Sequence, residues 1–391
     1  MDTRSGAGLD LAELQRQFPS KREGHYFNHA AIAPWPAATA DAVRNFAAEN
    51  AAQGPAAYAQ WVKLEQQLRH QLASLIGAVS GQDIALLKNT TEGISLVAWG
   101  LDWQAGENLV LPQGEFPSNR LPWLAQSERG VEIREIDIRG AENAENALIG
   151  SMNRKTRILA VSSVQWSDGF RLDLQQLGEA CKKRGVLFFV DAIQHLGALQ
   201  IDVSACHINF LAADAHKWLL GPEGIALFYS DEESRPRLHL RQLGWHMFDQ
   251  PWNFSRKEWT PASSARRFEA GSPNTLGQVA FKASLEVLLS AGMKQVEKRV
   301  LGNTALLLEG LRDIPGLQLV SRQESPRRSG IVSFKPTGFA VTALHQLLLK
   351  RGITCAIREQ FIRLSPHYYQ GKNDVDEVIN ALRQAFANAR V

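Results

Sequence analysis

Two periodicities alternate along the chain. Short continuous apolar runs recur: IALL from Ile84, LVL from Leu109, ILAV from Ile158, VLFFV from Val186, INFLAA from Ile208 and IALFYS from Ile225. Runs of this kind, rich in β-branched and aromatic residues, suit strands buried on both faces of a parallel sheet. Between them the apolar spacing becomes helical. Trp61, Leu64, Leu68, Leu72 and Leu75 share one face of a helix predicted over 58–76, which Gly77 ends. Helices are also expected at the Ala-rich residues 38–53, at 174–184, twice within 276–311, and at 373–388, where Val375, Ile379, Leu382 and Phe386 face inward. Repeated strand–helix alternation predicts an α/β fold with a mostly parallel sheet. Residues 9–18 suit a short amphipathic helix, VEIREIDI (131–138) a half-buried strand, and 140–153 a polar surface stretch. Residues 231–265 are irregular and aromatic-rich. Two later strands (LQLV and SGIVSFKP) and a helix ended by Gly352 lead to ITCAIREQFIRLSPHYY, residues 353–369.

The chemistry concentrates at the ends of two of these strands. VLFFV ends on Asp191, and INFLAA delivers Asp214, His216 and Lys217 to the same sheet edge, where open α/β folds place ligands. A lysine in an apolar setting is costly unless neutralised or used. One use accounts for all of these residues: Lys217 forms a Schiff base with pyridoxal phosphate (PLP), and Asp191 pairs with the protonated pyridine nitrogen. Asn89-Thr90-Thr91 at the start of an apolar-faced helix offers hydroxyls and free N–H groups to a phosphate.

VDAIQ followed by ADAHKWLLGPEG resembles the fold-type I PLP enzymes of the class V aminotransferase and cysteine desulfurase group. The resemblance runs from about Tyr26 to about Tyr369. It implies a large domain built on a seven-stranded, mostly parallel sheet between helices, over 20–290. A small α+β domain would comprise 291–391 with the N-terminal segment 1–19. It implies that Thr90 and Thr91 hold the cofactor phosphate, that Gln194 bonds the phenolic oxygen, and that Asp214 or His216 binds phosphate or orients the lysine. Phe116 stands where the desulfurases usually carry a ring-stacking His; it offers a π face but no proton. Trp166 stands where the group often has Asn. By the same resemblance Arg363, in IRLSPHYY, binds the substrate α-carboxylate as a bidentate fork. His29, Trp166, Trp245 and Arg120 are expected around the pocket. ARRFEAGSPNTLG resembles a motif that reaches the neighbouring subunit's cofactor phosphate. This places Ser272 and Asn274 at a site shared between two chains of an obligate homodimer.

Composition removes other classes. The chain has 391 residues, 45% hydrophobic and 21% charged, with a formal charge of +3. It is therefore globular and not marked for nucleic acid. The three cysteines, Cys181, Cys206 and Cys355, have neither disulfide-framework nor zinc spacing. With no signal-peptide core and no apolar run of membrane-spanning length, a cytoplasmic enzyme is expected. Cysteine desulfurases carry a nucleophilic Cys on a loop between two arginines, which here resemble Arg358 and Arg363. Only Glu359, Gln360, Phe361 and Ile362 lie between them, and Cys355 precedes both within the apolar run ITCAI. Persulfide formation on the chain itself is therefore not expected. Transamination of an amino acid is the leading expectation, with Lys217 removing the Cα–H. C–S β-elimination, epimerisation, desulfurase-like chemistry with an external thiol, and a non-catalytic PLP sensor remain as alternatives.

Overall fold

The computed structural model describes residues 11–388 apart from Arg256 and Phe339. The first two residues of the predicted helix at 9–18, and the whole segment 1–10, lie outside this range; the helix itself runs Leu11–Arg16.

Seven strands form the central sheet: β1 (Ile84–Leu87), β2 (Asn108–Pro112), β3 (Glu132–Ile136), β4 (Thr156–Ser162), β5 (Leu187–Asp191), β6 (Phe210–Asp214) and β7 (Ala226–Ser230). Their order is β1-β7-β6-β5-β4-β2-β3. Neighbours are parallel except β7, which runs antiparallel to both β1 and β6. Every residue of β2, β5, β6 and β7 is buried, as their unbroken apolar character requires. Edge strand β3 is only half-buried, which matches its alternating sequence.

Helices α1 (Ala37–Gln53), α2 (Tyr58–Ile76), α3 (Thr90–Gly100), α4 (Leu174–Arg184), α5 (Thr275–Ala291) and α6 (Met293–Arg312) follow the predicted spans closely. Gly77 stops α2 in the left-handed region at φ 68°, where a Cβ would be strained. The stretch at 140–153 is not plain surface. It holds a helix over Ala144–Ser151, whose fully buried Glu145 pairs with Arg327 and accepts the Asp173 N–H at 2.7 Å. The polar pattern concealed this helix because its buried acid is neutralised by a residue 182 positions away.

A second sheet is antiparallel, in the order β10-β11-β9-β8, built from β8 (Leu317–Leu319), β9 (Val332–Pro336), β10 (Ala356–Arg358) and β11 (Phe361–Leu364). Helices α7 (Val341–Lys350) and α8 (Lys372–Asn388) pack with it around Val332, Phe334, Ile362, Leu344 and Leu382. The apolar run ITCAI is not one strand. Ile353–Thr354 pairs in parallel with His25–Tyr26, Cys355 follows, and β10 then begins at Ala356. No described helix is long and apolar enough to cross a membrane, and no metal-binding cluster occurs among the described residues.

Candidate active site

Parallel register aligns the C-terminal ends of β4, β5 and β6. Ser162 pairs with Asp191, and Asp191 with Ala212. Lys217 follows three residues after β6 ends at Asp214. The result is a cavity of about 290 Å³ at this edge, lined among others by Lys217, Asp191, Asp214, Thr90, Phe116 and Arg363.

Burial lowers the Lys217 amine to about 8, against the opposing pull of Asp191 and Asp214. Burial raises the Asp191 carboxyl to about 6; its Oδ1 accepts the Ile193 N–H at 3.0 Å. A buried carboxylate of this kind is stabilised by a cation, and a protonated pyridine nitrogen supplies one. The Phe116 ring centroid lies 5.7 Å from Lys217 Nζ, and Phe116 meets Trp166 edge-on at 5.5 Å. Arg363, 1% exposed, donates from Nη1 to the Trp166 carbonyl at 2.6 Å. Its Nε and Nη2 are buried without partners among the described residues. Burial and the neighbouring Arg358 pull this guanidinium down to about 9. Orphaned donors on a buried cation are costly, and an incoming carboxylate would satisfy them.

Helix α3 starts at Thr90, two residues before Glu92, with Asn89 as its N-cap. Asp214 Oδ1 takes the Thr90 N–H at 2.7 Å, while the Thr90 hydroxyl accepts the Asp214 N–H at 3.0 Å. The Thr91 hydroxyl donates to Ser118 Oγ at 2.8 Å. A phosphate at this helix end would thus meet the Thr91 N–H and two hydroxyls, beside an Asp214 carboxyl that burial raises to about 7. A carboxyl so raised can be neutral near a dianion, so the donor set fits the phosphate of PLP. His216 Nδ1 lies 3.4 Å from Asp214 Oδ2, and burial lowers the imidazole to about 4.

Gln194 lines the cavity, but its amide is largely engaged. Nε2 donates to the Ala30 carbonyl at 3.0 Å, and Oε1 accepts from Trp218 Nε1 at 2.9 Å. The non-glycine Leu220 sits at φ 61°, bonded back to the Lys217 carbonyl at 3.1 Å. That strained turn lies directly after the lysine.

Several expected pocket residues are elsewhere. His29 is fully buried behind the cavity wall, held by the Ser365 carbonyl at 2.8 Å and Tyr369 Oη at 2.7 Å; its neighbours Ala30, Ala31 and Ile32 line the cavity instead. Arg120 is a bidentate partner of Glu135, and Trp245 packs with Trp252 and Phe254. Ser272 and Asn274 flank a separate groove beside Lys88 and Gly224. Asn274 caps α5 through Gly277 N at 2.9 Å and bonds the Gly224 carbonyl at 3.0 Å. Glu115 has no role in the sequence expectations, and Arg358 enters them only as a neighbour of the missing cysteine loop. Glu115, buried beside Phe116, accepts the Ser162 N–H at 2.7 Å and Gln165 Nε2 at 3.2 Å; burial raises it to about 7, with Asp191 adding to the effect. Its signal was one charge in a loop whose neighbour Phe116 drew attention. Arg358 lines the cavity from the end of β10.

Comparison with known proteins agrees with this fold. The family model described as aminotransferase class-V matches residues 25–378. A probable cysteine desulfurase of Methanothermobacter thermautotrophicus is 27% identical, over 93% of this chain and 95% of its own. The cysteine desulfurase of Pectobacterium carotovorum subsp. carotovorum is 30% identical, over 71% of this chain and 68% of its own. Among solved structures, a C-DES variant with glycine covalently linked to its PLP cofactor superposes with a TM-score of 0.88. It is 23% identical and covers 94% of this chain and 98% of that one.

Proposed function

The chain belongs to the class V aminotransferase family of PLP-dependent enzymes, and from that premise we propose that it cleaves the Cβ–S bond of a cysteine-type amino acid by β-elimination. The relatives named as cysteine desulfurases favour sulfur chemistry over the transamination expected from sequence. One observation separates this reading from desulfuration on the chain's own thiol. Arg358 and Phe361 are paired across a two-residue turn, so no loop exists there to carry a nucleophilic cysteine. Burial pushes the thiols of Cys181 and Cys355 up to about 12, and no cysteine lines the cavity.

Bound PLP supplies an electron sink for the charge left at Cα when its hydrogen is removed. Arg363 would hold the substrate α-carboxylate through Nε and Nη2, and Asp191 would keep the ring nitrogen protonated. The N-terminus of α3, with Thr90 and Thr91, would take the phosphate. Lys217, with its amine near 8, is suited to accept the Cα proton at neutral pH. The Cβ–S bond breaks with both electrons leaving on sulfur. The thiolate takes up a proton, and addition of one water to the remaining fragment gives pyruvate and ammonium.

The test is product assignment with S-alkyl-L-cysteines and cystine, for the wild type, Cys206→Ala and Cys355→Ala. Pyruvate, ammonium and the sulfur product (a thiol from S-alkylcysteines, cysteine persulfide from cystine) should appear in equal amounts, with rates within about twofold across the three proteins. Alanine with sulfur from cysteine, abolished by either substitution, would replace this reading with desulfuration. A keto acid formed without thiol, and dependent on a second keto acid, would restore transamination.

We further infer a homodimer. Ser272 and Asn274 lie off the cavity of their own chain, and Trp252, Phe254 and Trp259 are 53%, 75% and 50% exposed. Exposed aromatic rings, with Trp252 and Phe254 grouped around Trp245, suit an interface. Light scattering should give twice the chain mass at micromolar concentration; a monomer there would refute the dimer.

A further inference from the structure

The hairpin β10–β11 carries two arginines on one face. Ala356 pairs with Arg363, and Arg358 with Phe361. Alternation along each strand therefore puts Arg358 and Arg363 on the same side, as diagonal neighbours about 7–8 Å apart at the backbone. Both line the cavity that holds Lys217.

Arg363 has a use in the proposed reaction; Arg358 has none. Its one hydrogen bond is from Nη1 to the carbonyl of the preceding Ile357, at 2.9 Å, and it has no ion pair among the described residues. The adjacent acid, Glu359, is drawn away by Arg139 at 3.3 Å, and Arg139 also reaches Asp168 at 3.4 Å. The turn itself is fixed, with Glu359 at φ 52°. The other acids at the cavity, Asp191, Asp214 and Glu223, form no ion pair with Arg358. A half-buried guanidinium held this way, with its carboxylate neighbour engaged elsewhere, lacks the anion that its fork is built to bind.

We propose that Arg358 is a second anion-recognition group, and that the preferred substrates are cysteine-type amino acids whose sulfur substituent ends in a carboxylate or an anion of similar size. This rests on the C–S cleavage reading for the reaction and on the hairpin register for the recognition. Arg363 takes the α-carboxylate, and Arg358 takes the distal anion, which departs with the thiol.

The holoenzyme is assayed with S-carboxymethyl-L-cysteine and its neutral near-isostere S-carbamoylmethyl-L-cysteine. A charge-assisted hydrogen bond contributes about 1.5–3 kcal/mol, so the wild type should favour the carboxylate at least about tenfold in kcat/KM, chiefly through KM. Arg358→Gln should bring the ratio between the two substrates close to one, and Arg358→Lys should recover part of it. Because each protein is compared with itself on two substrates, a general loss of folding cannot mimic this result. Equal rates in the wild type, or a preference that survives Arg358→Gln, overturns the role of Arg358. If neither compound yields pyruvate and thiol, the C–S cleavage reading fails, and binding of the two compounds, read from the visible spectrum of the bound cofactor, then decides Arg358 alone. A tighter-binding carboxylate whose advantage disappears in Arg358→Gln upholds it, and equal binding refutes it.

Discussion

Replacing Lys217 with methionine should abolish turnover and at the same time make the cofactor-free protein more stable at neutral pH. The loss follows from the two uses proposed for one amine, as covalent anchor of PLP and as acceptor of the Cα proton. General base catalysis alone contributes about 10²- to 10⁴-fold, so product formation should fall at least about a thousandfold. The visible band of the lysine-linked cofactor should vanish with it. The gain in stability follows from burial, which lowers the amine from its ordinary 10.5 to about 8. Below about pH 8 the folded protein holds an ammonium away from water that the unfolded chain leaves solvated. As pH rises from about 8 to 10.5 the penalty disappears, because the unfolded chain alone still binds the proton. A depression of this size corresponds to at most about 3 kcal/mol. Denaturant melts of the cofactor-free proteins should therefore show Lys217→Met ahead of wild type at pH 7, with the two converging toward pH 10.5. Retained turnover would remove Lys217 from the chemistry. A variant no more stable than wild type at pH 7 would contradict the buried-charge argument. Active sites commonly trade stability for function in this way.

Arg363→Gln should lower kcat/KM by about two hundredfold to several thousandfold, mostly as a rise in KM. The guanidinium is fully buried, its Nη1 is committed to the Trp166 carbonyl, and its other two donors have no partner among the described residues. Removing one member of a buried charge pair typically costs about 3–5 kcal/mol, which sets the scale. An interaction with the carboxylate that is equally strong in the ground and transition states appears in KM and leaves kcat nearly intact. A substrate amine without an α-carboxylate is the control, because its already poor rate should not depend on this residue. If the substitution lowers both compounds alike, Arg363 is a structural prop for the Trp166 segment and not the carboxylate anchor.

How much of this was legible in the sequence can be judged residue by residue. Asp191, Asp214 and Lys217 could be read because each ends, or closely follows, a strand whose apolar run fixes its position at the sheet edge. The helix start at Thr90 was legible within a residue or two, since capping by Asn89 is a local hydrogen bond to Glu92 N. The absent cysteine loop was equally plain, because a spacing too short to form a loop is a covalent fact. Phe116 near Lys217 followed from the family resemblance alone, and its ring centroid does lie 5.7 Å from the lysine Nζ.

Contacts across the fold decided the rest. His29 follows an aromatic strand just as a pocket residue would, yet Ser365 and Tyr369, more than 330 positions away, bury it. Arg120 stands in the right loop but is taken by Glu135 on β3. Asp214 reads as a phosphate ligand until Thr90, 124 positions earlier, is seen to occupy its Oδ1. Glu115 and Arg358 show the reverse case: by sequence neither has a place at the site, yet the fold buries Glu115 against Ser162 behind Phe116 and brings Arg358 to the cavity. Apolar periodicity and capping are short-range and leave their mark on neighbouring residues, so the sequence by itself determined the elements, the sheet edge and the lysine with its aspartate. Which polar groups face the cavity unpaired depends on partners supplied from distant strands, and only the tertiary structure decided that.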